Sequence, residues 1–446
     1  MGMAKKYRFA ALLLVIAMLV TGNVMPTAKV AQAQGDEVTT VWASDDSPTG
    51  YYVTFRYTDA EAQRVRIYGE WMFSDLEHAT VGTSLNATPE EWQDGYTIWG
   101  TGNWPTADMT KDEETGIWSY TIPLPNGTWN YRFYVGGSLD ADVADYTDAV
   151  MASDPSNPPM LYNSEEENLA GEEYLSSIYV PWDAEKQANT VRVEEEAPRD
   201  SENGEAFFSE VMAADDVLAT FGIYLPYGFD AAREEPYPVL VMMHGGGGVE
   251  SSWFNNGLVN ILDNVIAEGR LEPTVVVTPN GSDAGFGNVD SIVNYILPYM
   301  VENYNVSVDP NRRAIAGLSA GSTTTMHAFF HYTDEFQYYM PMSAVLVNSI
   351  GLDYTVEGLA DKTLWFGYGL YDFVKLAGVF RPAEEEGAEM EALWGGNALR
   401  AGNIYQYFVD LGNAGIPFTQ LELPYGHVWA LWRQCAVYMF DNVLWQ

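Results

Sequence analysis

Arg313-Ala314-Ile315-Ala316-Gly317-Leu318-Ser319-Ala320-Gly321 is the stretch that decides the fold. Its first half is an apolar run that reads as a buried strand, and residues 323–330 behind it read as a helix. Between them stands Gly-x-Ser-x-Gly, over Gly317, Ser319 and Gly321. In a chain with 40 glycines this pattern alone is weak; the strand before it and the helix after it make it specific. A strained strand-to-helix turn of this kind lifts a serine hydroxyl above the sheet, as a nucleophile elbow. Small residues flank the serine because backbones pack closely there. The helix N-terminus favours negative charge developing beside Ser319.

Outward from the turn, strands and helices alternate. Residues 220–225, 238–243, 274–278, 363–367 and 418–422 are strand-like. Residues 258–268, 291–304, 397–414 and a last segment from about Trp429 are helical. Near-continuous apolar strands alternating with helices predict an α/β domain over 188–446, a mainly parallel sheet covered on both faces. Residues 382–393, with Glu384-Glu385-Glu386, form a charged insert that reads either as a solvated surface helix or as a lid.

Upstream the period changes. Residues 51–57, 64–68, 118–122 and 129–135 alternate apolar and polar residues and are separated by turns such as Pro125-Asn126-Gly127. They predict a small all-β sandwich over 34–162. Residues 163–187 read as an acidic linker, in which 176–181 form an extended segment lying on the following domain. At the start, Lys5, Lys6 and Arg8 precede an apolar run over 9–20 that is too short for a comfortable membrane span, and Ala31-Gln32-Ala33 offers a cleavage site. Residues 1–33 are therefore expected to be a signal peptide and the product to be secreted, with an uncleaved anchor as the alternative.

The chain carries 62 acidic and 21 basic residues. Four of the basic ones, Lys5, Lys6, Arg8 and Lys29, lie in the leader, leaving 17 against 62, a net −45. That balance argues against nucleic-acid binding, which needs clustered Lys and Arg, and against docking on anionic lipid. It fits a solubilising surface, or one suited to saline or acidic surroundings. With 47% hydrophobic and 14% aromatic residues the chain has the apolar area to fold. One cysteine, Cys435, excludes a disulfide scaffold.

A serine hydroxyl needs a base, and the histidines are His78, His244, His327, His331 and His427. His427 follows the last strand, at the carboxyl edge where the elbow opens, and is the expected general base. His244 is better explained by the glycine run it precedes, and His327 and His331 by packing or surface roles on the elbow helix. The acid is expected after the strand before the last, in chain order Ser, acid, His, which selects Asp372. Asp353, Glu357 and Asp361 precede that strand, at its other end. His244-Gly245-Gly246-Gly247-Gly248 follows a strand and suits an oxyanion hole built from Gly245 or Gly246 N–H and Ala320 N–H. A phosphate cradle does not fit, since no Gly-Lys-Ser/Thr follows; no CxxC or HExxH pattern suggests a metal, and no cofactor is expected. Trp253, Trp429 and Tyr371 are candidate substrate-binding aromatics. Trp71, Trp92, Trp99 and Trp104 would serve either as a sugar platform or, more simply, as core.

The segments 237–247, 264–280, 313–319 and Gly426-His427-Val428-Trp429 with Trp432-Arg433 occur in order and resemble the esterase D group. Within it they are most similar to carbohydrate esterase family 1, the feruloyl and acetyl xylan esterases. The resemblance runs from about Glu205 to the C-terminus. It implies an α/β-hydrolase that releases ester-linked substituents from plant polysaccharide, with Ser319, Asp372 and His427 as its triad. The N-terminal part resembles an early-set, glycogen-binding-type sandwich through the hairpin at 118–135 and Asp154-Pro155. Two departures touch the acyl pocket: Ala320-Gly321-Ser322 stands where the family usually has a larger residue and a Gly pair, and the stretch from Asp372 to His427 is longer than usual. The alternatives are an esterase of the same group acting on a siderophore, small aryl ester or polyester, and a carbohydrate-binding protein with a silent hydrolase domain.

Overall fold

The computed structural model describes residues 37–75, 87–98, 104–162, 175–213, 217–281, 289–344, 351–372, 374 and 404–446. The leader, His78, Trp99 and the 382–393 insert with its three glutamates lie outside these residues. Residues 36–446 form one compact unit.

The N-terminal part contains β1 (Thr40–Ala43), β2 (Tyr51–Thr58), β3 (Val65–Gly69), β4 (Phe73–Ser74), β5 (Thr97–Ile98), β6 (Thr106–Asp108), β7 (Thr110–Lys111), β8 (Ile117–Pro123), β9 (Gly127–Gly136), β10 (Ala149–Ala152) and β11 (Ser176–Val180). Two antiparallel sheets, ordered β1-β2-β8-β7 and β10-β9-β3-β6, share one core. Period-two alternation sends Val53 and Phe55 of β2, Ile67 of β3, Ile122 of β8, and Trp129, Tyr131 and Phe133 of β9 into it. Trp71 and Trp92 belong to this core, and Trp104 stacks on Tyr68; of the described tryptophans proposed as a sugar platform, two are thus buried packing residues.

The expectation that 176–181 lies on the following domain is corrected. β11 pairs antiparallel with β9, from Ser176 opposite Tyr131 to Val180 opposite Gly127. β9 is ten residues long and β10 covers only Phe133 to Gly136 of it, so its first half has backbone groups that need a partner. The chain that follows is strapped at both ends rather than free. Gln187 accepts from Asn126 N–H at 2.8 Å, and Asn264 donates to Glu195 O and Ala197 O, each at 2.8 Å.

The second part contains β12 (Glu205–Met212), β13 (Leu218–Leu225), β14 (Val239–Met243), β15 (Val275–Pro279), β16 (Arg313–Leu318), β17 (Tyr338–Met342), β18 (Thr363–Gly369) and β19 (Thr419–Leu423). They form an eight-stranded sheet ordered β12-β13-β15-β14-β16-β17-β18-β19. The joins β12–β13 and β13–β15 are antiparallel and the rest are parallel. Among the described residues its α-helices of eight residues or more are α1 (Leu258–Ala267), α2 (Leu297–Tyr304), α3 (Ala320–His331), α4 (Ile404–Ala414) and α5 (Trp429–Asn442). Successive residues of one strand serve opposite cores. Val239, Val241 and Met243 pack with α2, α3 and α4, whereas Leu240 and Met242 pack with α1 and α5. Burial on both faces is why these strands read as continuous apolar runs. β17 was not legible in the sequence because Pro341 sits inside it. Pairing with β18 is interrupted there, running from Tyr339–Leu364 to Met342–Gly367, where a missing N–H costs no ladder bond.

Candidate active site

Ser319 stands between the end of β16 and the start of α3, with φ 50° and ψ −117°. A serine is strained there, and the surroundings hold it. Its N–H donates to Met342 O at 2.9 Å, and its carbonyl accepts from the Ser322 N–H at 3.0 Å and hydroxyl at 2.5 Å. The flanking glycines are dictated by contact. A Cβ on Gly317 would lie 2.2 Å from Gly321 O, and one on Gly321 would lie 2.3 Å from His244 O.

Of the described histidines, it is His427 that meets the serine. Its Nε2 lies 2.9 Å from Ser319 Oγ, and its Nδ1 lies 3.0 Å from Asp372 Oδ1. A carboxylate on the Nδ1 side favours the tautomer protonated there, which leaves the Nε2 lone pair facing the serine O–H. Asp372 is fully buried in the loop after β18. Its Oδ2 accepts from the Ser343 hydroxyl at 2.5 Å and its Oδ1 from Val374 N–H at 3.1 Å. Ser343 Oγ in turn accepts from the Trp432 indole N–H at 2.9 Å, and the Trp432 ring stands edge-on to His427 at 4.9 Å between centroids. Ser343 and Trp432 were not singled out for the site by sequence reasoning; Ser343 was hidden with β17, whose end it follows.

His244 is placed with the glycine run, as expected. Its Nε2 accepts from Gly281 N–H at 2.9 Å, so its Nδ1 carries the proton toward Gly245 O, 2.7 Å away. Burial lowers its pKa to about 4 and keeps the ring neutral. Gly245 lies against the elbow: a Cβ there would be 3.3 Å from Ser319 Cβ. His327 and His331 pack on each other on α3, their centroids 4.7 Å apart. Among the described residues no group of three or more His, Cys, Asp or Glu is placed to hold a metal ion.

The candidate substrate aromatics are wall rather than surface. Trp253 is 1% exposed, donates its indole N–H to Met243 O and stands edge-on to Trp429. Trp429 and Tyr371 are also buried.

Sequence reasoning also missed the N-terminal contribution. The Thr97 hydroxyl donates to Pro424 O, and Gly426 N–H donates to Ile98 O at 3.1 Å. Both contacts join β5 to the loop that carries His427. Their separation of more than 300 residues left no local signal.

Residues 218–407 match the family model described as putative esterase. The chain is 32% identical over 139 residues to endo-1,4-beta-xylanase Y of Acetivibrio thermocellus, which is 28% of this chain and 13% of that protein. It is 34% identical over 123 residues to an endo-1,4-beta-xylanase/feruloyl esterase of Xylanibacter ruminicola, 24% of this chain and 17% of that one. The chain thus spans less than a fifth of the length of these curated relatives. Among solved structures it is similar to the enterobactin esterase of Shigella flexneri, at 14% identity and a TM-score of 0.52, over 92% of this chain and 96% of that one. That likeness shows the fold alone, with an α/β-hydrolase-like domain. Among the described residues no helix is long and apolar enough to cross a membrane.

Proposed function

We propose that the protein is a secreted serine carboxylesterase that removes feruloyl or acetyl groups ester-linked to plant polysaccharide. The observation that carries the chemistry is the continuous hydrogen-bonded chain Asp372–His427–Ser319, with the serine in a strained turn at the head of a helix. Ser319 Oγ attacks the ester carbonyl while His427 Nε2 takes its proton. The tetrahedral oxyanion is held by Ala320 N–H and by the glycine loop at Gly245 and Gly246. His427 returns the proton to the departing alcohol, which leaves the acyl group on Ser319. Water, deprotonated by the same imidazole, then releases the acid. Asp372 keeps the imidazole oriented and stabilises its protonated form. No cofactor takes part in this scheme. The polysaccharide assignment is supported by the feruloyl esterase named among the relatives and by the family resemblance of the motifs.

The test is initial rates on a panel of acetyl, feruloyl, longer acyl and catecholate serine esters, with Ser319→Ala beside the wild type. Hydrolysis abolished in Ser319→Ala with the fold intact is the expected result. Undiminished turnover in that variant would sink the mechanism. A clear preference for the catecholate ester would move the substrate to a siderophore and leave the mechanism standing.

A further inference from the structure

We propose that β5 of the N-terminal part is a positioning element for the catalytic base, with the Thr97 hydroxyl and the Ile98 carbonyl as its working atoms. The inference rests on the esterase reading above. The peptide joining Tyr425 to Gly426 lies one peptide before the bond that enters His427. Its carbonyl accepts from Tyr371 N–H at 3.1 Å, one residue before Asp372, and its N–H donates to Ile98 O at 3.1 Å. Carbonyl and N–H point to opposite sides of a planar trans peptide. The plane is therefore gripped from both sides, by the acid-bearing loop on one and by the N-terminal part on the other. One residue earlier, Pro424 O is taken by Thr97, which is buried.

These bonds decide the loop's position because packing alone does not. On the catalytic side the fit is tight, since a Cβ on Gly369 would lie 2.2 Å from Tyr425 O. On the N-terminal side a cleft of about 70 Å³ runs beside Thr97, Ile98, Pro424 and Tyr425. Gly426 is buried, so without Ile98 its N–H would be left unpaired at a cost that favours a different loop conformation. A small shift of His427 is enough to lengthen the contact to Ser319 Oγ, and positioning errors near 1 Å cost large factors in rate. The N-terminal part thus sets the geometry of proton transfer without touching substrate.

The test uses the full chain, one soluble ester and a fluorophosphonate that labels Ser319. Thr97→Val keeps the volume and removes the donor; Thr97→Ser keeps the donor; Thr106→Val, on the outer strand β6, is the control. Thr97→Val is expected to lower kcat and the labelling rate by about fivefold, the scale of one ordinary hydrogen bond, with KM within about twofold and unfolding cooperative. Thr97→Ser and Thr106→Val should stay near wild type. Undiminished kcat in a folded Thr97→Val overturns the proposal, as does a rise in KM alone, which would mean substrate contact. A fall in Thr97→Ser equal to that in Thr97→Val overturns it too, because lost packing would then be the cause. Absence of both turnover and Ser319 labelling in the wild type would instead remove the esterase reading, and the proposal with it.

Discussion

Arg433 Nε lies 2.9 Å from Glu196 Oε2, with both side chains 2% exposed. The arginine comes from α5, six residues beyond His427, and the glutamate from the strap that follows β11. Arg433 also donates to Thr128 O at 2.7 Å, and Glu196 Oε2 accepts from Thr128 N–H at 2.8 Å. β9, the strap and α5 therefore meet at one buried charge pair.

Removing one partner of such a pair leaves the other buried and uncompensated, which costs about 3–5 kcal/mol. Arg433→Met is expected to lose about that much stability in a urea titration. Arg433→Met with Glu196→Gln should recover a large part of it. If the double variant is as unstable as the sum of the singles, the two residues are not coupled.

Asp372→Asn keeps the shape of the site and removes the charge behind His427. Turnover on a soluble ester should fall by up to about 10⁴-fold, the scale of this change in a serine-protease triad. Ser343→Ala removes one hydrogen bond to the buried carboxylate and should cost about tenfold. Equal rates for wild type and Asp372→Asn would show that another group supplies the acid.

Glu70 carries the pH prediction. Burial raises its carboxyl from the usual 4.5 to about 7, against the opposing pull of Arg433 and the Asn130 N–H. A carboxyl that titrates higher in the folded state favours the fold while protonated. Its contribution is therefore complete below about pH 4.5 and is lost as pH rises through about 7, by up to about 3 kcal/mol. Glu70→Gln should melt near wild type at pH 4.5 and higher than wild type at pH 8. A variant that melts no higher than wild type at pH 8 would contradict the buried, destabilising carboxylate.

The whole chain carries −41, and with the leader removed the charge is −45. Self-repulsion of that size is screened over about 8–10 Å at ordinary ionic strength. The melting temperature is expected to rise with NaCl from low concentration. A steady fall would mean that attractive surface pairs outweigh the repulsion.

The second part was legible because its signals are local. Strand, turn and helix around Ser319 lie within twenty residues, and chain order with strand ends points to Asp372 and His427, which the structure places in line with Ser319. What stayed hidden depends on distant contacts or on residues that argue against their own role. Pro341 concealed β17, and with it Ser343. β11 was assigned to the wrong neighbour because an extended pentapeptide carries no mark of which sheet edge is open. Reading the N-terminal part as a sandwich domain joined through a linker missed the contacts of Thr97 and Ile98 with the His427 loop and of Arg433 with Thr128. Excising residues 37–162 is therefore expected to abolish turnover on soluble esters as well as on polysaccharide.

The conformation of Ser319 has an evolutionary consequence. A non-glycine residue at φ 50° and ψ −117° costs on the order of 1–3 kcal/mol, and glycine adopts such angles without a Cβ penalty. The chain is thus less stable for having a side chain at the position where the proposed chemistry requires one. A selection that rewarded only resistance to heat would accumulate Ser319→Gly, a better-folded and inert descendant. The serine persists only under a selection that also requires turnover.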